Sequence, residues 1–347
     1  MAYYKKTTDD RDYQQELTDN IIKRIEEAKE YADKGLKWDK PFFSATELPF
    51  NYQTGEKYKG SNIIALWSAD FIDPRWMTYV QIQEFAKKTN TKLYLEKGSK
   101  ASYITKVIPL YEKDLNGNIV KDGMGNYKQL TDENGNPRIG FRFYPVFNCS
   151  QINGVEPYVK AERLFNPNEE VSMLLEALEH NNGLTVEHHT KGSAYFSPSD
   201  NKICMPHENL FKTINGYYDT LLHELGHSTG IPLNRDMTGI FGSESYAKEE
   251  LIAELTSSFM SVELGIEHDP SSHENHAAYL NSWLKALRED KTFIYKAANQ
   301  ASRATEYQMD TLSEYKLSLL VAQEKVKEIE QRLDEAATKT RKKQFIL

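Results

Sequence analysis

Five consecutive residues, His223-Glu224-Leu225-Gly226-His227, constrain this chain more than any other feature. Histidines four positions apart share one face of a helix, so both imidazoles can point a nitrogen at the same ion. Glu224 follows the first histidine by one, which turns it to the side where a water on that ion would sit. There it can act as general base while a carbonyl is attacked, and zinc in such a site lowers the pKa of its water to about 7. The preceding YYDTLL supplies helix and core residues, Gly226 is small where the helix would pass close to a sheet, and Gly230 and Pro232 end the helix soon afterwards. The pattern predicts a helix from about Gly216 and one zinc ion per chain.

A tetrahedral site that keeps one position open for water needs a third protein ligand. Metzincins place a third histidine where this chain has Leu233, which excludes that longer motif. A second helix, predicted from about Tyr246 to Leu264, offers Glu249, Glu250 and Glu254. Glu250 and Glu254 lie one turn apart, so one can bind the metal while the other accepts a hydrogen bond from a ligand imidazole. Glu249, about 100° round the helix, reads as solvent-facing. The arrangement resembles thermolysin-type gluzincins, in which an acidic ligand is followed four residues later by a second acid. That resemblance implies Glu250 on the metal and Glu254 on an imidazole, with the reverse assignment as the alternative. His188, His189, His207, His268, His273 and His276 have no matching spacing, and Ala194 to Ser197 reads either as a core strand or as an edge strand that pairs with an extended substrate.

At 347 residues the chain is about twice the usual domain size of roughly 100–150, so two domains, each with its own core, are expected. Residues 14–33 place Leu17, Ile21, Ile22 and Ile25 at helical spacing. NIIALW (62–67) and the stretch 91–111, with a turn at Lys97-Gly98, read as short strands around a helix from Thr78 to Lys88. The Asn-Gly-rich segment 111–140 reads as a protruding hairpin insertion. FRFYPVFNCSQING returns to strand, and Gly154 to Lys160 is the expected boundary. A helix from Glu169 to Asn181 and strands near 184–186 and 194–205 precede the metal-site helices, which makes an α+β fold. From Leu312 the apolar residues recur at heptad spacing through Leu319, Val326, Leu333 and Ala336, which predicts a helix over 311–342 that packs along a partner and could mediate self-association, followed by a frayed tail.

Charge divides unevenly. Residues 1–160 carry about +2 and the remainder about −10, and within 57–106 nine basic residues face four acidic ones. A basic stretch in an acidic protein suits a polyanion. Single-stranded nucleic acid needs cations along its phosphates and aromatic faces for its bases, each stack contributing about 1–3 kcal/mol. Lys57-Tyr58-Lys59, Arg75-Trp76 and Lys97, which has Tyr94 and Tyr103 nearby, interleave the two residue types, whereas Trp67 reads as core. No apolar run approaches the roughly 18 residues of a membrane span. The first fifteen residues lack the apolar stretch of a secretory signal, and Cys149 and Cys204 make no disulfide framework, so a cytoplasmic protein is expected.

These features together resemble the ArdC-type antirestriction proteins of plasmids and related mobile elements, over roughly residues 12–305. The resemblance is carried by residues 52–62 (YQTGEKYKGSN), 74–78 (PRWMT), 96–100 (EKGSK), 145–148 (PVFN) and 195–198 (YFSP), then by the histidine motif, 233–236 (LNRD), 249–255 and 283–285 (WLK). It implies a single-stranded-DNA-binding domain over 10–155 and a zincin-like metallopeptidase domain over 161–305. It also implies a role in protecting incoming DNA from restriction, with a host defence protein as one possible substrate. The alternative is a DNA-shielding protein whose zincin domain is structural or silent. The insertion at 111–140 and the heptad tail depart from that family pattern.

Overall fold

The first amphipathic segment forms α1 (Tyr13–Asp33) and buries Leu17, Ile21 and Ile25. Those three side chains belong to the largest core of the molecule, which draws on both halves of the chain. This computed structural model describes residues 11–33, 47–133, 135–160, 166–190, 193–239, 243–267 and 277–344. His268, His273 and His276 therefore lie outside the described residues, as do most of the loop expected after α1, Asn134 of the insertion and the tail residues 345–347.

In the first half, β1 (Phe50–Asn51), β2 (Arg75–Met77), β4 (Ser102–Pro109) and β5 (Ile139–Asn148) make one sheet in the order β1-β2-β5-β4. Its β1–β2 pair is parallel and the other pairs are antiparallel. The expected strand at NIIALW is a helix, α2 (Ser61–Trp67), with Ile63, Ile64, Leu66 and Trp67 all buried. A short run apolar on every side satisfies a buried helix as well as a buried strand, which is why periodicity alone misassigned it. The helix α3 (Tyr79–Thr89) follows, opened by a Thr78–Gln81 capping box. β3 (Tyr94–Leu95) pairs with β6 (Ile152–Asn153), not with β4 across the turn at Gly98.

The insertion at 111–140 does protrude from the β4–β5 ribbon, but its turns are organised by aspartates. Asp114 Oδ1 accepts from the N–H groups of Asn116 and Asn118, at 2.8 and 2.9 Å, and Asp122 repeats the arrangement with Met124 and Asn126. Asp132 accepts from the Asn136 N–H at 2.8 Å.

The second half begins with α4 (Pro167–Asn182) and a three-stranded sheet, β7 (Thr185–His189), β8 (Tyr195–Ser197) and β9 (Lys202–Pro206), in the order β7-β9-β8. Among the described residues four α-helices follow: α5 (Ile214–Ser228), α6 (Glu244–Leu264), α7 (Ala277–Glu289) and α8 (Phe293–Gln344). Leu251, Leu255 and Phe259 of α6, Trp283 of α7 and Ala297 and Ala298 of α8 pack with α1 and α2. This largest core is shared by the two halves, because α6 is apolar on several sides and binds neighbours on each, while Met77, Ile82, Cys149 and Ile152 form a smaller cluster within the first half alone. A second core joins α4 and the three-stranded sheet to α5 and α6.

The predicted C-terminal helix is the continuation of α8, which runs for 52 residues without a break where the sequence placed a domain edge. Leu312 is 1% exposed, whereas Val326, Ile329 and Leu333 are more than half exposed, so the heptad seam leaves the body after its first turn. Residues 343 and 344, beyond the predicted end of this helix, are also helical. Cys149 and Cys204 are free and buried. Among the described residues no helix is long and apolar enough to cross a membrane.

Candidate metal centre

The helix α5 is started by Thr213, whose hydroxyl accepts from the Gly216 N–H at 3.0 Å, and α6 by Ser243, which accepts from the Tyr246 N–H at 3.2 Å. The two helices pack directly on each other. A Cβ at Gly226 would meet backbone atoms of Ala253, so the small residue is needed where α5 meets α6, and not, as expected, where it meets a sheet.

At this contact three side chains converge. His223 Nε2 and His227 Nε2 are 3.2 Å apart, and Glu250 reaches them with Oε2 at 3.4 Å and Oε1 at 3.7 Å respectively. One ligand atom from each residue falls within a 4.8 Å group, the only such trio among the described residues. The spacing itself tests the fit. Zinc bonds of about 2.0–2.2 Å in tetrahedral geometry place neighbouring ligand atoms about 3.3–3.6 Å apart, close to the 3.2, 3.4 and 3.7 Å found between these nitrogens and oxygens. These residues fit a divalent metal.

Carboxylates also stand behind both imidazoles. Glu254 Oε2 lies 3.4 Å from His223 Nδ1, and Glu249 Oε1 lies 3.2 Å from His227 Nδ1. Glu249 is thus not solvent-facing: it is 8% exposed and holds Arg235 through two hydrogen bonds. Sequence reasoning named both residues but gave neither Glu249 nor Arg235 a place at the histidines. Burial alone would lower the pKa of His223, but hydrogen bonds to Glu250 and Glu254 outweigh it and lift the group to about 10. For Glu249 and Glu250 burial pushes upward and is overcome: His227 and Arg235 hold Glu249 below its ordinary value, and His223 does the same for Glu250.

A cleft of about 310 Å³ opens over the trio, with Glu224 on its wall beside Tyr195, Phe196 and Tyr246. Glu224 is itself buried. Among the described residues the strand β8 is an edge of its sheet, and Tyr195 and Phe196 on it line the cleft.

The residues expected to touch DNA are dispersed. Lys57 pairs with Glu263 of α6 at 2.6 Å and Lys59 with Glu306 of α8 at 2.9 Å, while Lys97 is exposed. Tyr58 is half-buried. Two assignments are corrected. Trp76 is 1% exposed and its ring packs edge-on against Phe71, so no base can stack on it. Arg75 is buried in an ion pair with Asp73 through Nε and Nη2, donates from Nη2 to the Glu156 carbonyl and lies over the Tyr52 ring, so its burial and these bonds hold it inside the fold. Trp67 is core, as expected, against Phe259.

Two family models match successive parts of the chain. Residues 11–147 match the family described as the N-terminal domain of anti-restriction factor ArdC, and residues 174–300 match the zincin-like metallopeptidase family. The metal-free crystal structure of the antirestriction protein ArdC from plasmid R388 superposes with a TM-score of 0.66 at 29% identity, covering 88% of this chain and 99% of that one. Its Mn(II)-bound form gives 0.62 at 28% identity, with 87% and 98% coverage. A DNA primase TraC of Escherichia coli is 38% identical over 276 residues, which are 78% of this chain but 25% of the primase, so the chain spans a quarter of that relative's length. The y4eC protein of Sinorhizobium fredii is 30% identical across 85% of this chain and 91% of its own.

Proposed function

Because the chain belongs to the ArdC family of antirestriction proteins, with an ArdC N-terminal domain followed by a zincin-like metallopeptidase domain, we propose that it protects incoming DNA by joining two activities. Its first half binds single-stranded DNA, and its second half is a zinc-dependent peptidase. The observation that carries the second part is the trio His223, His227 and Glu250 at tetrahedral edge distances, with Glu224 beside it in a cleft.

In this reading His223, His227 and Glu250 hold the ion, and Glu254 orients His223 through Nδ1. When bound, zinc supplies Lewis acidity toward a substrate carbonyl and toward a water. Glu224 takes the proton from the attacking water and returns it to the departing amine. The edge of β8 holds the substrate backbone extended along the cleft. The substrate class is a protein, with a host defence protein near the entering DNA as the fitting target.

For the first half, Lys57, Lys59 and Lys97 remain at the surface and carry the proposed phosphate contacts, with Tyr58 beside them. The primase name of one relative supports a setting on DNA. The deciding experiment compares wild type with Glu224→Gln for protection of incoming DNA in a restricting host. Loss of protection with metal content unchanged supports peptidase chemistry; full protection by the variant assigns the function to shielding by DNA binding.

A further inference from the structure

We propose that Arg235 and Glu249 form a positioning clamp that fixes the proton, the orientation and the competing acid at His227. The inference rests on the metal-site reading above and concerns residues to which that reading gives no part. Glu249 Oε1 lies 3.2 Å from His227 Nδ1, and the same carboxylate receives Arg235 Nη2 at 2.7 Å and Nε at 3.0 Å. An ionised carboxylate has no hydrogen to give, so the ring nitrogen that faces it carries the proton. The lone pair is then left on Nε2, which points toward His223 and Glu250.

The guanidinium also reaches the helix itself. Arg235 Nη2 donates to the Gly226 carbonyl at 2.8 Å and Nη1 to the Thr229 hydroxyl at 2.6 Å. One side chain, 5% exposed, therefore holds the peptide group before His227, the carboxylate on its ring and the hydroxyl two residues after it. The loop that carries Arg235 is folded back to make this possible, with Asn234 at a φ of 52° and the Arg235 N–H bonded to the Gly230 carbonyl at 2.8 Å.

The clamp has a second consequence. Glu249 and Glu250 are adjacent, and both are anions beside the two histidines. By engaging both oxygens of Glu249, Arg235 keeps that acid on the far side of the His227 ring and leaves Glu250 as the acid that meets both Nε2 atoms. Without the guanidinium, Glu249 becomes a competing ligand.

The test uses the full chain. Zinc affinity is measured by competition with a chromogenic chelator, and ligand geometry by the visible spectrum of the Co(II)-loaded chain. Glu249→Gln and Arg235→Lys are expected to bind zinc about 10–100-fold more weakly and to shift the Co(II) bands. Thr229→Val, which removes only the hydroxyl end, is expected to lower the melting temperature of the metal-free chain with affinity and spectrum unchanged. Should a single variant fail to fold, the double variant Arg235→Gln/Glu249→Gln leaves no unpaired charge and is expected to show the same loss of affinity. Wild-type affinity and spectrum in Glu249→Gln or in the double variant overturn the clamp alone. A wild-type chain that takes up no zinc overturns the metal reading and the clamp together.

Discussion

A Cβ placed on Gly226 would stand 2.9 Å from the Cα of Ala253, so α5 and α6 touch backbone to backbone at the metal centre. No flexible side chain lies there to yield. Gly226→Ala is therefore expected to force the helices apart at a cost of about 1–3 kcal/mol, as overpacking in cores does. Because His227 and Glu250 sit on opposite sides of that seam, metal affinity should fall with stability. Denaturant melts and chelator competition on the same preparation check both; an unchanged melt would show that the helices can separate freely.

Ligand and orienting roles are separable by stoichiometry. Native chain should carry about one divalent ion, lost in His223→Ala and in Glu250→Gln, whereas Glu254→Gln should keep the ion with affinity about 10–100-fold lower. Metal analysis after gel filtration reads this out. A chain that loses its ion in Glu254→Gln but keeps it in Glu250→Gln would exchange the two assignments.

Trp67 and Phe259 contact edge to face at a centroid distance of 5.6 Å, across the two halves of the chain. Trp67→Ala should cost about 3–5 kcal/mol. Since the core is shared, the melt should shift as one transition; a variant in which residues 11–147 unfold before the remainder would contradict the shared core.

Asp290 turns the chain into α8, with Oδ1 accepting from the Thr292 N–H and hydroxyl and Oδ2 from Lys296. Partial burial raises its pKa, but these bonds overcome it and bring the group to about 2. A depressed carboxylate stabilises the fold above its unfolded value of about 3.8 and loses that contribution as pH falls toward 2. Asp290→Asn should therefore lower stability at neutral pH, with the difference from wild type closing between about pH 4 and pH 2 in urea melts at a series of pH values.

Single-stranded DNA binding should weaken steeply with salt, and Lys57→Ala, Lys59→Ala and Lys97→Ala should each reduce the log–log salt slope by about 0.7 if each lysine meets one phosphate. Fluorescence anisotropy with a labelled oligonucleotide measures the slope. An unchanged slope in all three places the DNA on another surface.

The site was legible where helical period alone decides geometry. Four-residue spacing brought His223 and His227 together and put Glu250 and Glu254 on one face of α6. It failed at Glu249, because an angle of 100° from Glu250 points to solvent only when solvent is there. Fifteen of the 21 residues of α6 are buried, and the unbroken run Leu251-Ile252-Ala253 was the available signal of a helix covered on most sides. Arg235 was invisible for a related reason: nothing in a loop sequence states which carboxylate it will fold back to meet. Lys57 and Lys59 read as a free basic patch because their partners, Glu263 and Glu306, are more than 200 positions away.

The length of α8 gives the molecule a mechanical property. At 1.5 Å per residue its 52 residues make a rod of about 78 Å, gripped near one end by the shared core and projecting at the other. Gln308, within the gripped part, donates to the Leu225 carbonyl at 2.7 Å, one peptide from the Gly226–Ala253 crossing. A load applied to the outer turns is delivered as torque beside the histidine-bearing helix, which makes the rod a lever with its fulcrum next to the metal centre.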